Sequence, residues 1–507
     1  MNRDVFLKFQ KGCFFLFLLL LPFMTTKFVI LILFFSKVMN MVFLDKLSAF
    51  LLPVIFLFAF FTQLLDGHFF IKDRLIIKIF VGLCLLCAFE EAIAISNFNI
   101  KQLIIYQHEF ALISAEILKL CGIAVNPDLV MGFSYWCDLV YDNATYLFWT
   151  FGVSYWIYCL YHKQSYDLVS VLVKTGLICF TCIAGYALIE IAYFQGSELA
   201  QQILITCNPI LHRVGDGYGW WPPLLWGDVI PRMRSIFAEP SYMGIYFAFL
   251  MPFLWQRVFL KSTSVNHKRL LWAGIIFAFT MMFLTRSRTA YGICLLQMLL
   301  FILLAVWQGR REYYPGLKKL VGCCLAGVLI ATVVLGTSLR GIEDLTNVSS
   351  NSRLGYIMAT TRIGLAHPVF GAGSELFNYY VQENSPEFTR DNPEYQKWTK
   401  LFNIYGISGG YPQICEYTTL FAKHGFLGVA VFMLPLLYAL KGLLRKLKTA
   451  GDTQTFLNVT LVLLSLLGMA ATGFSNHINI TYCYWVILGI AFVCITDDNY
   501  NVHSKKI

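Results

Sequence analysis

The chain is organised by twelve long apolar segments separated by shorter polar ones. Most of them approach the ~20 residues that an α-helix needs to cross the hydrocarbon core of a bilayer. They are unbroken apolar runs rather than alternations of apolar and polar residues, which disfavours a β-barrel. The pattern therefore predicts an all-α, polytopic helical bundle of about 12 spans. The segments lie at 13–35, 47–64, 75–95, 145–162, 167–194, 241–260, 268–285, 287–308, 317–336, 416–440, 456–473 and 480–496.

The composition agrees with a membrane protein and excludes other classes. Of 507 residues, 58% are hydrophobic and 13% are charged, whereas soluble globular domains carry about 25% charged residues. That difference excludes an ordinary soluble protein, a disordered chain and a soluble cofactor-binding fold. Eleven of the 15 cysteines fall within the apolar segments. We interpret them as small core residues and expect no metal site.

Basic residues in the short connections indicate the orientation. Lys and Arg are enriched in the cytoplasmic loops of membrane proteins, and four connections carry clusters of them, at 71–78, 256–270, 308–320 and 441–451. Twelve alternating spans put all four on one side, together with both termini. We therefore expect a multi-pass protein of the cytoplasmic membrane with both termini in the cytoplasm. The net charge of +10 is attributed to these loops and not to nucleic acid binding.

The same alternation divides the chain into three parts. The segment 1–336 is predicted to form an N-terminal transmembrane bundle of nine spans, with an outer loop at 195–240. The segment 337–415 is predicted to be a large extracytoplasmic loop, and 416–507 to hold the last membrane helices and a cytoplasmic tail.

A further stretch, 99–125, mixes apolar and polar residues at helical spacing. It predicts an interfacial or re-entrant helix. The alternative is a short thirteenth span, which would upset the even count of spans on which the orientation depends.

Several arginines lie on the side opposite to the basic loops. The short turn between the seventh and eighth segments contains Arg286, Ser287 and Arg288, and Arg232 and Arg234 precede the sixth segment. One interpretation is that they pair with acids or lipid headgroups. We prefer the other, because arginine presents a planar fork that binds phosphate through two hydrogen bonds. Converging arginines at the membrane face would suit a pyrophosphate.

Two further elements on this side carry candidate chemistry. Glu239 precedes Pro240 and Ser241 at the start of a segment. It is either an acid at a helix N-terminus or a carboxylate that acts as general base or orients an arginine. The turn-rich stretch from Ala366 to Gly373 contains two glycines and a histidine. Its Gly-Ala-Gly triplet is weak evidence for a phosphate cradle, because no strand precedes it and no nucleotide motif surrounds it.

Three motifs in this order resemble the bacterial O-antigen polymerase and O-antigen ligase superfamily of polytopic glycosyltransferases, whose fold is GT-C-like. They are Arg234–Gly244 with its Glu-Pro-Ser core, Thr285–Gly292, and Arg353 followed by His367–Gly373 before the segment Glu416–Gly428. The resemblance implies action on undecaprenyl-pyrophosphate-linked glycans at the periplasmic face of the inner membrane. It implies neither a nucleotide sugar nor a cofactor.

The resemblance and the outer-side arginines together suggest roles for individual residues. The expected catalytic residues are Glu239, Arg288, Arg234 and Arg353. The expected residues for binding pyrophosphate or glycan are Arg232, Arg286, Ser287, Ser241, His367, Gly371 and Gly373.

Three activities are compatible with this site. Ligases of the superfamily usually carry a His-Asn pair shortly before the helix that follows the large loop, whereas 411–417 contains no histidine here. That difference favours a polymerase, which transfers glycan to an incoming lipid-linked repeat unit and works with membrane lipid and a chain-length regulator. The alternatives are a ligase that moves glycan to the lipid A core and, in another class, a polysaccharide flippase.

Overall fold

The computed structural model describes residues 3–23, 47–65, 74–99, 111–123, 126–162, 165–211, 232–237, 239–259, 265–335, 342–405, 411–478 and 481–496. Over these ranges the regular structure is helical, as the apolar runs predict. The helices are α1 Arg3–Leu20, α2 Leu51–Leu65, α3 Arg74–Ser96, α4 Ala111–Leu120, α5 Pro127–Tyr161, α6 Ser165–Phe194, α7 Glu198–Leu211, α8 Pro240–Phe259, α9 Val265–Leu284, α10 Arg288–Trp307, α11 Tyr314–Leu335, α12 Ile342–Ala366, α13 Phe377–Asn384, α14 Pro393–Tyr405, α15 Glu416–Thr449, α16 Thr453–Thr472 and α17 Cys483–Thr496.

Each of the twelve predicted segments coincides wholly or partly with a helix. Within the described ranges, seven helices are long and apolar enough to cross a membrane, and two apolar helices are shorter. The polytopic all-α class is therefore confirmed. The seven lie at Lys78–Ser96, Leu168–Phe194, Val265–Leu284, Arg288–Trp307, Arg311–Val334, Glu416–Thr449 and Thr453–Thr472, and the two shorter ones at Leu51–Thr62 and Cys483–Thr496. The second half of the first predicted segment, 24–35, lies outside the described residues.

One helix is longer than predicted. α5 begins at Pro127, well before the predicted start at 145, because Asn126 caps it by accepting from the Leu129 N–H at 2.7 Å and a proline occupies its first turn.

The stretch 99–125 is helical over its described residues Ala111–Leu120. Residues 100–110 lie outside the described residues, so the interfacial or re-entrant helix and the short thirteenth span both stay predictions.

The centre of the bundle is formed by α8, α16 and α17, whose side chains are almost all buried. Polar side chains join these helices inside the apolar core. Gln297 in α10 donates to the carbonyl oxygens of Ala248 and Leu464 at 2.7 and 3.0 Å, and Gln256 donates to Asn458 at 2.7 Å. Hydrogen bonds between membrane helices contribute about 0.6–2 kcal/mol each, so these contacts fix how the helices carrying the site lie beside one another.

Two of the four predicted cytoplasmic connections meet in space. Arg310, just after α10, donates to the carbonyl oxygen of Ala450 at 2.5 Å, and the Tyr313 hydroxyl donates to the carbonyl oxygen of Thr453 at 2.6 Å. The basic connections 308–320 and 441–451 thus lie at the same end of the bundle, as the alternation of spans requires. The helices α8 and α10 begin at the opposite end.

The large loop is itself helical. Its helices α12, α13 and α14 enclose a small apolar core together with the start of α15. The loop is attached to α3 and α5 through the buried carboxylate of Glu91, which accepts from the backbone N–H of Ser374 at 3.0 Å and from Asn143 at 2.9 Å. Its core consists of Tyr356, Ala359, Ile363, Ala372, Phe377, Val381, Tyr395, Trp398, Phe402, Tyr411, Ile414 and Ala422.

Candidate active site

The N-termini of α8 and α10 lie side by side at one end of the bundle. Gly244, in the second turn of α8, faces Ala290 in the first turn of α10, and a Cβ added at Gly244 would lie only 2.6 Å from the Cβ of Ala290. Glycine is therefore required for the two helices to approach. Because a helix N-terminus carries partial positive charge and free N–H groups, this end of the bundle favours anions.

The turn that leads into α10 sets the direction of two arginines. Arg286 adopts a left-handed backbone with φ 53°, a conformation that costs a non-glycine residue about 1–2 kcal/mol. The Ser287 N–H donates to the Thr285 hydroxyl at 3.1 Å, and the Ser287 side chain caps α10. Such a turn needs strong local support, and it presents Arg286 half-buried and Arg288 exposed.

The segment before α8 is fixed to this turn. The Met233 N–H donates to the carbonyl oxygen of Leu284 at 2.9 Å, and the Arg232 guanidinium donates to the carbonyl oxygen of Thr285 at 3.1 Å. Arg232 therefore lies beside Arg286 and Arg288, although more than fifty residues separate them in sequence.

Arg234, two residues further on, lies deeper in the protein. Its side chain is 4% exposed. Burial lowers its pKa to about 10, although the negative charge of Glu190 in α6 acts to raise it. The Glu190 carboxylate also accepts the backbone N–H groups of Arg234 and Ser235, at 3.3 and 2.7 Å. Ser235 is left-handed, with φ 50°, so the chain turns between 234 and 236. Arg234 is thus buried beside Glu190, whereas Arg232 is exposed at the surface.

The large loop adds a further arginine to the same place. Arg353 in α12 donates to the carbonyl oxygen of Ser475, in the turn between α16 and α17, at 3.4 Å. One turn earlier in α12, the Ser350 hydroxyl accepts from Arg288 at 2.7 Å. Thr289 in α10 also contacts Ser475, with 2.9 Å between their hydroxyl oxygens. These contacts hold α10, α12 and the 473–478 turn together.

Glu239 lies among these arginines. Burial raises the pKa of its carboxyl above the ordinary value, while the Ser241 hydroxyl, 3.1 Å away, and the charges of Arg353 and Arg232 oppose that shift. We call the group formed by Arg232, Arg286, Arg288, Arg353 and Glu239 the arginine cluster. It brings together residues from three separate parts of the sequence, and the charges of Arg232 and Arg353 act on its one carboxylate.

The stretch His367–Gly373 lies against α15 and not in the arginine cluster. The helix α15 is broken at Gly425, which has φ 63°. The N–H groups of Ala372 and Gly373 donate to the carbonyl oxygens of Ala422 and Lys423, at 2.8 and 3.0 Å. The N–H of Gly371 donates to the His367 carbonyl oxygen at 3.0 Å. Because these N–H groups are occupied, the triplet forms a clamp on the broken helix and offers no phosphate cradle.

An acid–base pair that no sequence motif indicated lies next to Ser475, which contacts Arg353. Glu416, the first residue of α15, accepts a hydrogen bond from His477, which follows Ser475 by two residues. The two residues are 61 positions apart, so no local spacing links them. The one available signal was the polar pair Asn476–His477, which lies between the apolar segments 456–473 and 480–496.

Within the described ranges, no group of three or more His, Cys, Asp or Glu side chains is arranged to hold a metal ion. The expectation of a site without metal or cofactor stays a prediction.

Residues 273–405 match the family model described as O-antigen ligase. The resemblance to the O-antigen polymerase and ligase superfamily is confirmed. Members of the family are membrane glycosyltransferases and ligases. The matched segment includes Arg286, Arg288 and Arg353, whereas Glu239, Glu416 and His477 lie outside it. Two further comparisons found no matching characterised protein and no matching solved structure.

Proposed function

We propose that the protein is an O-antigen-type polysaccharide polymerase. It transfers a glycan from undecaprenyl pyrophosphate to the end of an incoming lipid-linked repeat unit, at the periplasmic face of the inner membrane. The observation that supports this most directly is the arginine cluster at the end of the bundle where α8 and α10 begin. That end is opposite to the basic connections around Arg310 and Ala450.

The cluster suits a pyrophosphate leaving group. In the reaction, a hydroxyl of the acceptor sugar attacks C1 of the donor sugar, and the bond between C1 and the phosphate oxygen breaks. The electron pair of that bond remains on the lipid pyrophosphate. Arginines aimed at this developing charge stabilise the transition state more than the ground state, and the helix N-termini act in the same direction.

Within the cluster, the residues divide by accessibility. Arg288 and Arg232 are exposed, and Arg286 and Arg353 are half-buried, so these four can reach a bound pyrophosphate. Glu239 lies near Arg232 and Arg353, and we assign to it the orientation of both guanidinium groups. Arg234 is buried beside Glu190 and supports the segment without touching the substrate.

The ligase is the second candidate, and a specific contact favours it. The stretch 411–417 has no histidine, which is our reason to prefer a polymerase. However, His477 reaches Glu416 from a different part of the chain, so an imidazole is available at the start of α15 after all. The transferred glycan and the acceptor must therefore be identified by experiment.

The test is the surface glycan of a deletion strain, resolved on a gel beside the complemented strain. A lipid A core with one repeat and no long ladder is the expected result for a polymerase. Core without any repeat, with long glycan still on the lipid carrier, would mean a ligase. Repeat units that never reach the outer side of the membrane would indicate a flippase and overturn the proposal.

A further inference from the structure

The turn between α16 and α17 makes two sets of contacts within three residues. The carbonyl oxygen of Ser475 accepts from Arg353 at 3.4 Å, and its hydroxyl oxygen lies 2.9 Å from that of Thr289. Two residues later, His477 contacts Glu416. Two residues of extended chain span at most ~7 Å. His477 therefore lies in the same short turn as the Ser475 carbonyl oxygen that accepts from Arg353.

Hydrogen bonds fix both the backbone and the carboxylate of Glu416. Its backbone N–H donates to the carbonyl oxygen of Gly473 at 2.8 Å, and its carboxylate accepts from the backbone N–H of Ile478 at 3.0 Å. The next residue is fixed too, because the Tyr417 hydroxyl donates to the carbonyl oxygen of Ala470 at 2.6 Å. The side chain of Glu416 is 4% exposed, whereas that of His477 is 24% exposed. The carboxylate is thus buried, whereas the histidine side chain that contacts it is partly exposed.

This arrangement determines which ring nitrogen carries the proton. An ionised carboxylate can only accept hydrogen bonds, so Nδ1 of His477, which faces Glu416, is the protonated nitrogen. The other nitrogen, Nε2, then carries the lone pair of a ring that is partly exposed. A histidine oriented by a buried carboxylate through Nδ1, with Nε2 free to take a proton, has the arrangement of a general base.

We propose that His477 is the general base that activates the acceptor hydroxyl, and that Glu416 is the residue that positions it. The inference rests on the proposed function and names the missing base of that reaction. As the acceptor oxygen attacks C1 of the donor sugar, its proton moves to Nε2 of His477. The leaving electron pair goes to the lipid pyrophosphate, and the proton on the imidazolium then passes to solvent or to that pyrophosphate. The products are the lengthened glycan and undecaprenyl pyrophosphate.

A second histidine–glutamate pair provides a matched control. His424 in α15 lies 3.1 Å from Glu90 through its Nδ1, in the group of polar residues that attaches the large loop to α3. Its carboxylate partner is 2% exposed, as buried as Glu416. This pair has the same chemistry as the first pair but lies beside the clamp on Gly425 and not beside Ser475.

The experiment uses the full-length protein with lipid-linked repeat units isolated from the deletion strain. We expect His477→Gln to lower kcat by about 10²–10⁴-fold with little change in KM, and Glu416→Gln to lower it by less. His424→Gln should retain a rate near that of the wild type. Added imidazole should restore activity to His477→Ala, which separates a chemical role from a structural one.

The pH profile gives an independent measurement. The charged groups around the ring are Glu416, Lys423, which is electrostatically coupled to Glu416, and Arg353 on the Ser475 carbonyl. A protonated imidazole accepts no proton, so the wild-type rate should fall on acidification, and this decrease should be absent from the residual activity of His477→Gln.

The outcomes separate the two proposals. If His477→Gln works at the wild-type rate while Arg353→Ala is inactive, the base is wrong and the proposed function stands. A slow His477→Ala enzyme that imidazole does not restore, with an unchanged pH profile, also overturns the base. If Arg353→Ala and Arg288→Ala both polymerise normally, the proposed function itself fails.

Discussion

The guanidinium of Arg353 donates to the main-chain carbonyl oxygen of Ser475, 122 residues later in the chain. Because the acceptor belongs to the backbone, the contact does not depend on the side chain at position 475. It depends on the length of the arginine and on the path of the 473–478 turn. This contact aligns the large loop with the last two helices at the point where the proposed reaction occurs.

Arg353→Ala should abolish long glycan without lowering the amount of protein in the membrane. The loss of one donor to a developing oxyanion costs about 2.7–4 kcal/mol of barrier, or about 10²–10³ in rate. The control is Arg362→Ala, in the same helix, where the guanidinium donates to the carbonyl oxygen of Asn384 at 3.0 Å on the exposed surface. Equal rates for the two variants would contradict the role of Arg353.

Glu239→Gln should lower kcat without weakening the binding of the donor. The variant keeps every positive charge of the arginine cluster, but it removes the carboxylate that faces Arg232 and Arg353. Misplacement of catalytic groups by about 1 Å costs about 10²-fold in rate. Ser241→Ala removes only the hydroxyl 3.1 Å from this carboxylate and should have a smaller effect. A raised KM with unchanged kcat in Glu239→Gln would mean that the carboxylate binds substrate instead.

Gly371→Ala should destabilise the protein. An added methyl group would lie 2.2 Å from the backbone of Lys423, and the residue has φ 72°. Gly309→Ala is the control, because Gly309 has φ 61° but no atom within 4 Å of an added Cβ. Both variants incur the left-handed cost of about 1–2 kcal/mol, and only Gly371→Ala adds a steric clash of about 1–3 kcal/mol. Thermal unfolding in detergent measures the difference; equal Tm values would argue against the clamp.

Glu375, between α12 and α13, should make stability depend on pH. Burial, followed by the negative charge of Asp142, raises its pKa to about 7 from the ordinary 4.5, while Lys423 opposes the shift. The folded state therefore binds this proton more tightly than the unfolded state. Its contribution to stability is complete below pH ~4.5 and is lost as the pH rises towards ~7.

We accordingly expect the Tm of the wild type to fall over that pH window and the Tm of Glu375→Gln to fall less. Glu383→Gln, at an exposed position of α13, should follow the wild-type curve. Parallel curves for Glu375→Gln and the wild type would rule out this source of pH dependence.

Much of the fold could be predicted from the sequence, because apolar runs of helical length have few other solutions in a membrane. The apolar pattern did not reveal that α5 begins at Pro127, because the first part of the helix contains polar residues such as Asn143. Asn143 contacts Glu91 and Ser374 inside the protein. Periodicity does not reveal such contacts, since the partners come from distant segments.

For the candidate site, topology predicted more than spacing did. Alternating spans brought Arg232, Arg286, Arg288 and Arg353 to one side, and the structure joins them there. The sequence could not distinguish Arg232 from Arg234, because the left-handed Ser235 and the buried Glu190 decide which one is exposed. The pairing of Glu416 with His477 depends entirely on how α15 and α16 pack, and no local pattern encodes it.

The 473–478 turn follows Arg232, Arg288 and Arg353 in the chain, and this order decides when the arginine cluster is aligned during synthesis. Arg353 has no Ser475 carbonyl oxygen to bind, and Glu416 has no His477, until the hairpin of α16 and α17 has been made and packed. A chain truncated before residue 473 would carry the arginines without their alignment.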